Sequence, residues 1–186
     1  MARTESAMVE LGTSMPNFTL RDVVTGAEVS NLDVTGTKGT LIMFICRHCP
    51  FVKHLQAGLT QFGKDYDGQG VSIVAISSND AVKYPDDAPE SLAEQQKELG
   101  RVYTYLYDET QEAAKAFDAT CTPDFFLFNS KLALVYRGQF DGSRPGNDVP
   151  VTGSDLRAAV DALLAGKQIS SEQKPSLGCN IKWKES

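Results

Sequence analysis

Leu41-Ile42-Met43-Phe44-Ile45 is an apolar run of strand length, without charge or turn residue, that stops at Cys46-Arg47-His48-Cys49-Pro50. Such a run reads as a buried strand over about residues 40–46. After it, Phe51, Val52, Leu55, Leu59 and Phe62 recur at mostly helical spacing, predicting a helix to about Tyr66. Pro50 suits its first turn, where the missing N–H has no use. Gly68-Gln69-Gly70 breaks the helix, and Val71–Ser77, mostly apolar and β-branched, predicts a second buried strand. A helix-length crossover between the two makes them parallel.

The same reading places helices at 91–99 and 109–117, a strand at 102–107, and a hairpin of 125–128 and 132–136 turning at Asn129-Ser130-Lys131. A last helix, 155–164, is capped by Ser154 and carries Leu156, Val160, Leu163 and Leu164 on one face. Upstream, Met15–Leu20 alternates apolar and polar, Thr25-Gly26 turns, and Ala27-Glu28-Val29 returns. The connections 31–38, 79–90 and 139–153 are polar, and the second of them, with Asp86 and Asp87, is expected to be a solvated loop. The predicted class is α/β: a central mixed sheet flanked by helices, with an added N-terminal hairpin and a C-terminal tail. Residues 1–12 are expected to be a flexible lead-in, 13–166 the domain, and 167–186 a tail docked by burial of Ile181 and Trp183.

Length and composition narrow the class. At 186 residues, 41% of them hydrophobic, the chain suits one domain with its own core. A net charge of −6 and an isoelectric point near 4.9 argue against a nucleic-acid partner. No span approaches the ~20 apolar residues of a membrane helix. Met1-Ala2-Arg3-Thr4-Glu5-Ser6-Ala7 lacks the apolar stretch of a secretory signal. The expected location is therefore cytoplasmic, with no membrane partner, in a compartment where thiols are kept reduced.

That makes the four cysteines candidates for chemistry rather than staples. Cys46 and Cys49, spaced C-x-x-C, fall where a strand feeds a helix, and helix N-terminal N–H groups and dipole favour a thiolate. Cys46, at the more exposed end, is expected to be the attacking thiolate, and Cys49, a turn further in, to resolve the mixed disulfide. Arg47 and His48 between them are expected to tune the thiolate through positive charge. A zinc site would need a second ligand pair, which the isolated Cys121 and Cys179 do not supply, and His54 lies on the following helix. No metal and no cofactor is expected. The partners expected are protein or small-molecule thiols and disulfides, with an unidentified electron donor. Cys121 and Cys179 are either small buried hydrophobes or a second redox pair that exchanges with the first. Tyr103, Tyr105 and Tyr107 read as packing residues with wet hydroxyls.

The order strand, helix, strand, helix, strand, helix, antiparallel hairpin, helix, with C-x-x-C after the first core strand, resembles the thioredoxin fold. Thr122-Pro123 falls where thioredoxins carry a cis-proline before the closing hairpin. The resemblance implies a cis peptide there, with Thr122 and Pro123 presenting backbone to an extended substrate. The hairpin at Met15–Leu20 resembles the redoxin branch, which holds the AhpC/TSA peroxiredoxins and TlpA-like thiol oxidoreductases. Arg137-Gly138-Gln139, Pro150-Val151-Thr152-Gly153 and Gly178-Cys179-Asn180-Ile181-Lys182-Trp183 look like an uncharacterised bacterial thioredoxin-like subgroup. A histidine before the second cysteine resembles the disulfide-forming relatives. Cys49-Pro50 matches the end of the peroxiredoxin pattern, while Ile42 and Cys46 stand in place of its proline and threonine. Three functions follow. The leading one is a thiol–disulfide oxidoreductase. The alternatives are a peroxidase built on Cys49 and a non-catalytic metal-binding or interaction module.

Overall fold

The computed structural model describes residues 3–185. In chain order the strands and helices are β1 (Arg3–Glu5), β2 (Thr19–Asp22), β3 (Glu28–Ser30), β4 (Gly39–Phe44), α1 (Pro50–Tyr66), β5 (Val71–Ser77), α2 (Pro89–Glu98), β6 (Thr104–Tyr107), α3 (Glu112–Ala116), β7 (Cys121–Thr122), β8 (Asp124–Asn129), β9 (Leu134–Gly138), α4 (Ser154–Leu164) and β10 (Leu177–Asn180). Seven strands form one mixed sheet in the order β3-β2-β6-β5-β4-β8-β9. The strands β4, β5 and β6 are mutually parallel, while β8 runs antiparallel to β4 and β9 antiparallel to β8. The early hairpin β2–β3 adds to the β6 edge. The α/β architecture with a mixed sheet and an added hairpin is thus the one that the hydrophobic pattern predicts.

All six residues of β4 are buried because both faces of the sheet are covered. Leu41 and Met43 join one apolar cluster with Val52, Leu55, Leu59 and Phe62 of α1 and Leu156 and Val160 of α4. The alternate residues, Ile42 and Phe44, join a second cluster with Phe18, Phe117, Phe126 and Phe128. Phe44 packs edge-on to Phe117 and Phe126, at centroid distances of 5.3 and 5.9 Å. This two-sided burial explains the continuous rather than alternating apolar run.

Several expectations are corrected. The lead-in is tied down from Arg3: β1 pairs with β10, the Ser6 N–H donates to the Ser176 carbonyl, and the Ser176 N–H donates to Ser6 Oγ. Met1 and Ala2 lie outside the described residues. Helix α4 starts at Ser154 itself, with Gly153 as its N-cap at φ 70°, so Ser154 is not the cap. A Cβ on Gly153 would meet the Phe140 ring at 2.5 Å. Two of the tyrosine hydroxyls are not wet: that of Tyr103 is buried, and Tyr105, itself buried, donates to the Ile45 carbonyl at 3.4 Å. In the tail, Ile181 is buried but Trp183 stays 40% exposed, with the Lys115 ammonium 6.0 Å from its ring. Among the described residues, no helix is long and apolar enough to cross a membrane.

Because Phe44 is wholly buried between two rings, Phe44→Ala should lower the unfolding free energy by about 3–5 kcal/mol in denaturant titration. A loss under about 1 kcal/mol would mean that this face of the sheet is not closely packed.

Candidate active site

The carboxyl end of β4 delivers Cys46, and the N-terminus of α1 delivers Cys49. Cys49 is the N-cap residue, with Pro50 as the first helical residue and the Cys49 carbonyl accepting from Lys53 at 2.9 Å. Opposite them lies β7. The Thr122–Pro123 peptide is cis, matching the expectation. Cys46 Sγ is 3.5 Å from Thr122 Oγ1, and Cys49 Sγ is 3.3 Å from the Thr122 carbonyl oxygen.

The turn between the sulfurs is held by a residue that the sequence reading assigned to solvent. Asp87, at the end of a 3₁₀ turn over Pro85–Asp87, is fully buried. Its Oδ1 accepts the N–H groups of Arg47 at 2.7 Å and His48 at 3.1 Å. Its Oδ2 accepts from Asn79 Nδ2 at 2.8 Å and pairs with His48 Nδ1. The His48 ring stacks on Tyr84 at 5.0 Å, and its Nε2 is buried without a partner. The Arg47 guanidinium turns onto α2, donating to the Ser91 carbonyl and hydroxyl at 2.8 and 2.7 Å. Both cationic side chains expected to tune the thiols therefore have anchors of their own. The signal for Asp87 was its place after the carboxyl end of a parallel strand, where sites gather.

Cys46, His48 and Asp87 offer potential metal-ligand atoms within 4.8 Å of one another. The Asp87 carboxylate already receives four N–H donors, the full capacity of its two oxygens. It would have to surrender one to coordinate an ion.

Both site cysteines are buried, Cys46 as much as Cys49, so the expected exposure of Cys46 is corrected. The cover is the chain's own tail. Strand β10 lies between β1 and β7, with Cys179 in register with Thr122 and Asn180 with Cys121. The backbone of Thr122, expected to receive a substrate, is thus already paired with the tail. Cys179 Sγ is 2.8 Å from Cys49 Sγ. Cys179 therefore meets Cys49 and not Cys121, whose sulfur contacts the Pro123 carbonyl at 3.6 Å. His54 turns away, to Ser143 Oγ at 2.7 Å.

Protonation is divided among the sulfurs. Hydrogen bonding from Cys46, helped by Cys179 and the Val52 N–H, brings Cys49 down from the ordinary thiol value of 9.0 to about 5, against the opposing effect of burial. Burial, then the hydrogen bond to Cys49 and the Asp87 charge, holds Cys46 well above that value. Burial and the Cys49 contact push Cys179 up to about 12. Burial also raises Cys121. These shifts favour ionisation at Cys49, with Cys46 and Cys179 as its donors. The nearby Thr122 carbonyl is the contact that favours the protonated form.

Two outcomes check this arrangement. Thiolate absorbance of the reduced protein should show one group titrating near pH 5, absent in Cys49→Ala. Because the folded value is depressed, the linked stability is fully present above pH 9 and lost as pH falls through about 5. Asp87→Ala strips acceptors from buried N–H groups and should cost on the order of 3 kcal/mol, read from denaturant unfolding.

The AhpC/TSA family profile matches residues 11–137. An uncharacterised conserved protein from Geobacillus kaustophilus has a crystal structure that superposes with a TM-score of 0.98 at 55% identity, covering 100% of this chain and 98% of that one. A hypothetical protein from Sinorhizobium meliloti 1021 gives 0.95 at 45% identity, covering 98% and 100%. The thioredoxin domain of a thiol-disulfide oxidoreductase from Bacteroides vulgatus gives 0.57 at 18% identity, covering 80% and 97%, which bears on the fold alone. No curated protein matches the chain. With the profile spanning both the C-x-x-C and the cis-proline segment of a thioredoxin-like fold, the chain belongs to the AhpC/TSA family.

Proposed function

We propose that the chain is a thiol–disulfide oxidoreductase whose working dithiol is Cys46 and Cys49, acting on small-molecule or protein disulfides. The observation that carries this reading is the placement of the two sulfurs, one after the end of β4 and one at the start of α1, both against Thr122 beside the cis Pro123. The opposite shifts, down at Cys49 and up at Cys46, support an interacting pair of thiols at this helix start. Membership of the AhpC/TSA family and the thioredoxin-like fold support redox chemistry at this place in the chain.

In this reading Cys46 meets the substrate. Its sulfur attacks one sulfur of the disulfide, its proton passes to Cys49, and the other substrate sulfur leaves as a thiolate. Cys49 gives the proton to that leaving thiolate and then attacks Cys46. The Cys46–Cys49 bond forms as the mixed disulfide breaks, releasing the second substrate thiolate. The substrate must displace or bypass β10, which occupies the Thr122 backbone.

A second reading rests on the lowered Cys49 value. A thiolate beside Pro50 at a helix start is the species that attacks peroxide. Cys49 would become a sulfenic acid with release of water, and a neighbouring thiol would then condense with it, releasing a second water.

The test is to mix reduced protein with oxidised glutathione, with insulin, and separately with hydrogen peroxide. Disulfide reduction should need both cysteines, and Cys49→Ser should accumulate a mixed disulfide on Cys46. A mixed disulfide on Cys49 in Cys46→Ser with none on Cys46 in Cys49→Ser would reverse the roles. Peroxide consumption outrunning disulfide reduction would favour the second reading.

A further inference from the structure

We propose that Cys179 is a third redox-active cysteine of this site, exchanging with the Cys46–Cys49 disulfide to give a Cys49–Cys179 disulfide. The inference rests on the oxidoreductase reading and adds the tail as an internal thiol partner. The tail places this sulfur through several independent contacts. Upstream, Ser176 donates through Oγ to the Pro123 carbonyl at 2.6 Å and through its N–H to Ser6 Oγ at 2.7 Å. Downstream, Ile181 is buried and its N–H donates to the Thr120 carbonyl at 3.2 Å. The Lys182 N–H donates to Asn79 Oδ1 at 2.8 Å, and its carbonyl accepts from the Asp80 N–H at 2.8 Å and Gln111 Nε2 at 2.9 Å. Between these anchors the strand approaches β7 so closely that a Cβ on Gly178 would lie 1.9 Å from the Thr122 carbonyl oxygen. Only glycine fits, and the next residue, Cys179, then brings Sγ to 2.8 Å from Cys49 Sγ. The strand occupies the position of an extended substrate segment, with its cysteine on the dithiol.

The exchange balances within the chain. Cys179 loses its proton and its sulfur attacks Cys49 Sγ. The Cys49–Cys179 bond forms as the Cys46–Cys49 bond breaks, and Cys46 leaves as a thiolate that takes the proton. One disulfide is present before and after, so no outside oxidant or reductant enters this step. Cys46 is restored as a free thiol while the oxidised bond is held between α1 and the tail. Cys121, turned to the Pro123 carbonyl, takes no part.

The sequence makes the test direct, because trypsin places the four cysteines on four peptides: 39–47, 48–53, 116–131 and 168–182, with Lys174 protected by Pro175. Reduced protein is oxidised with limiting oxidised glutathione, free thiols are alkylated in acid, and linked peptides are identified by mass spectrometry. The wild type should show both the 39–47/48–53 link and the 48–53/168–182 link. In Cys46→Ser, Cys49 is first glutathionylated and Cys179 then displaces glutathione, so the 48–53/168–182 link should dominate. Cys179→Ser should abolish it and leave the first link intact. The first link without the second in the wild type, together with persistent glutathionylated Cys49 in Cys46→Ser, overturns the proposal and leaves the oxidoreductase reading standing. Absence of the 39–47/48–53 link in wild type and Cys179→Ser alike removes that reading and the proposal with it. A link from 168–182 to 116–131 in place of 48–53 overturns the assignment of Cys49 as the partner.

Discussion

Burial of β4 on both faces is the constraint on which the rest depends. A strand that must satisfy two apolar layers leaves no freedom in where its end falls, so the residues after Phe44 emerge at a fixed point between α1 and β7. The cysteines follow from that placement. Cys46 closes the strand, Cys49 opens the helix, and the sulfurs come together over Thr122. Packing thereby holds chemical groups on rigid elements, which locate them more closely than a loop would.

Electrostatics then divides the work. A buried thiolate is costly unless donors surround it. Cys49 finds them in two neighbouring thiols and the first turn of its own helix, and its acidity rises accordingly. Cys46, with the Asp87 carboxylate near it and little solvent, keeps its proton. Asp87 has two effects at once. It fixes the turn by accepting the Arg47 and His48 N–H groups, and its charge opposes ionisation of the adjacent sulfur.

The tail closes the same space from the other side. In a thioredoxin-like fold the strand next to the cis-proline is an open edge, and edges invite pairing. Here β10 fills that edge within the chain and is itself covered by β1. Access to the dithiol and the chemistry of the tail are therefore one question, since any segment that pairs with Thr122 must replace Cys179.

Much of this was legible in the chain. Local periodicity fixes the order of strands and helices, because period 2 and period 3.6 patterns depend on neighbours a few residues away. The C-x-x-C at a strand–helix junction is also local, and the resemblance to thioredoxins implied that Thr122-Pro123 lies at the same end of the sheet. The burial of Asp87 was not legible, because an acidic loop residue reads as solvated until N–H donors from the distant Arg47–His48 turn join that of Asn79 on it. Nor was the partner of Cys179. The sequence reading offered Cys121, but the register of β10 on β7 sets Cys179 against Cys49, 130 positions away in the chain. Trp183 shows the same limit: its size argues for burial, yet Ile181 fills the core position and leaves the ring at the surface. Pattern determined which elements form, while the pairing of chain ends across the sheet edge, a long-range contact with no local signature, decided which groups meet at the site.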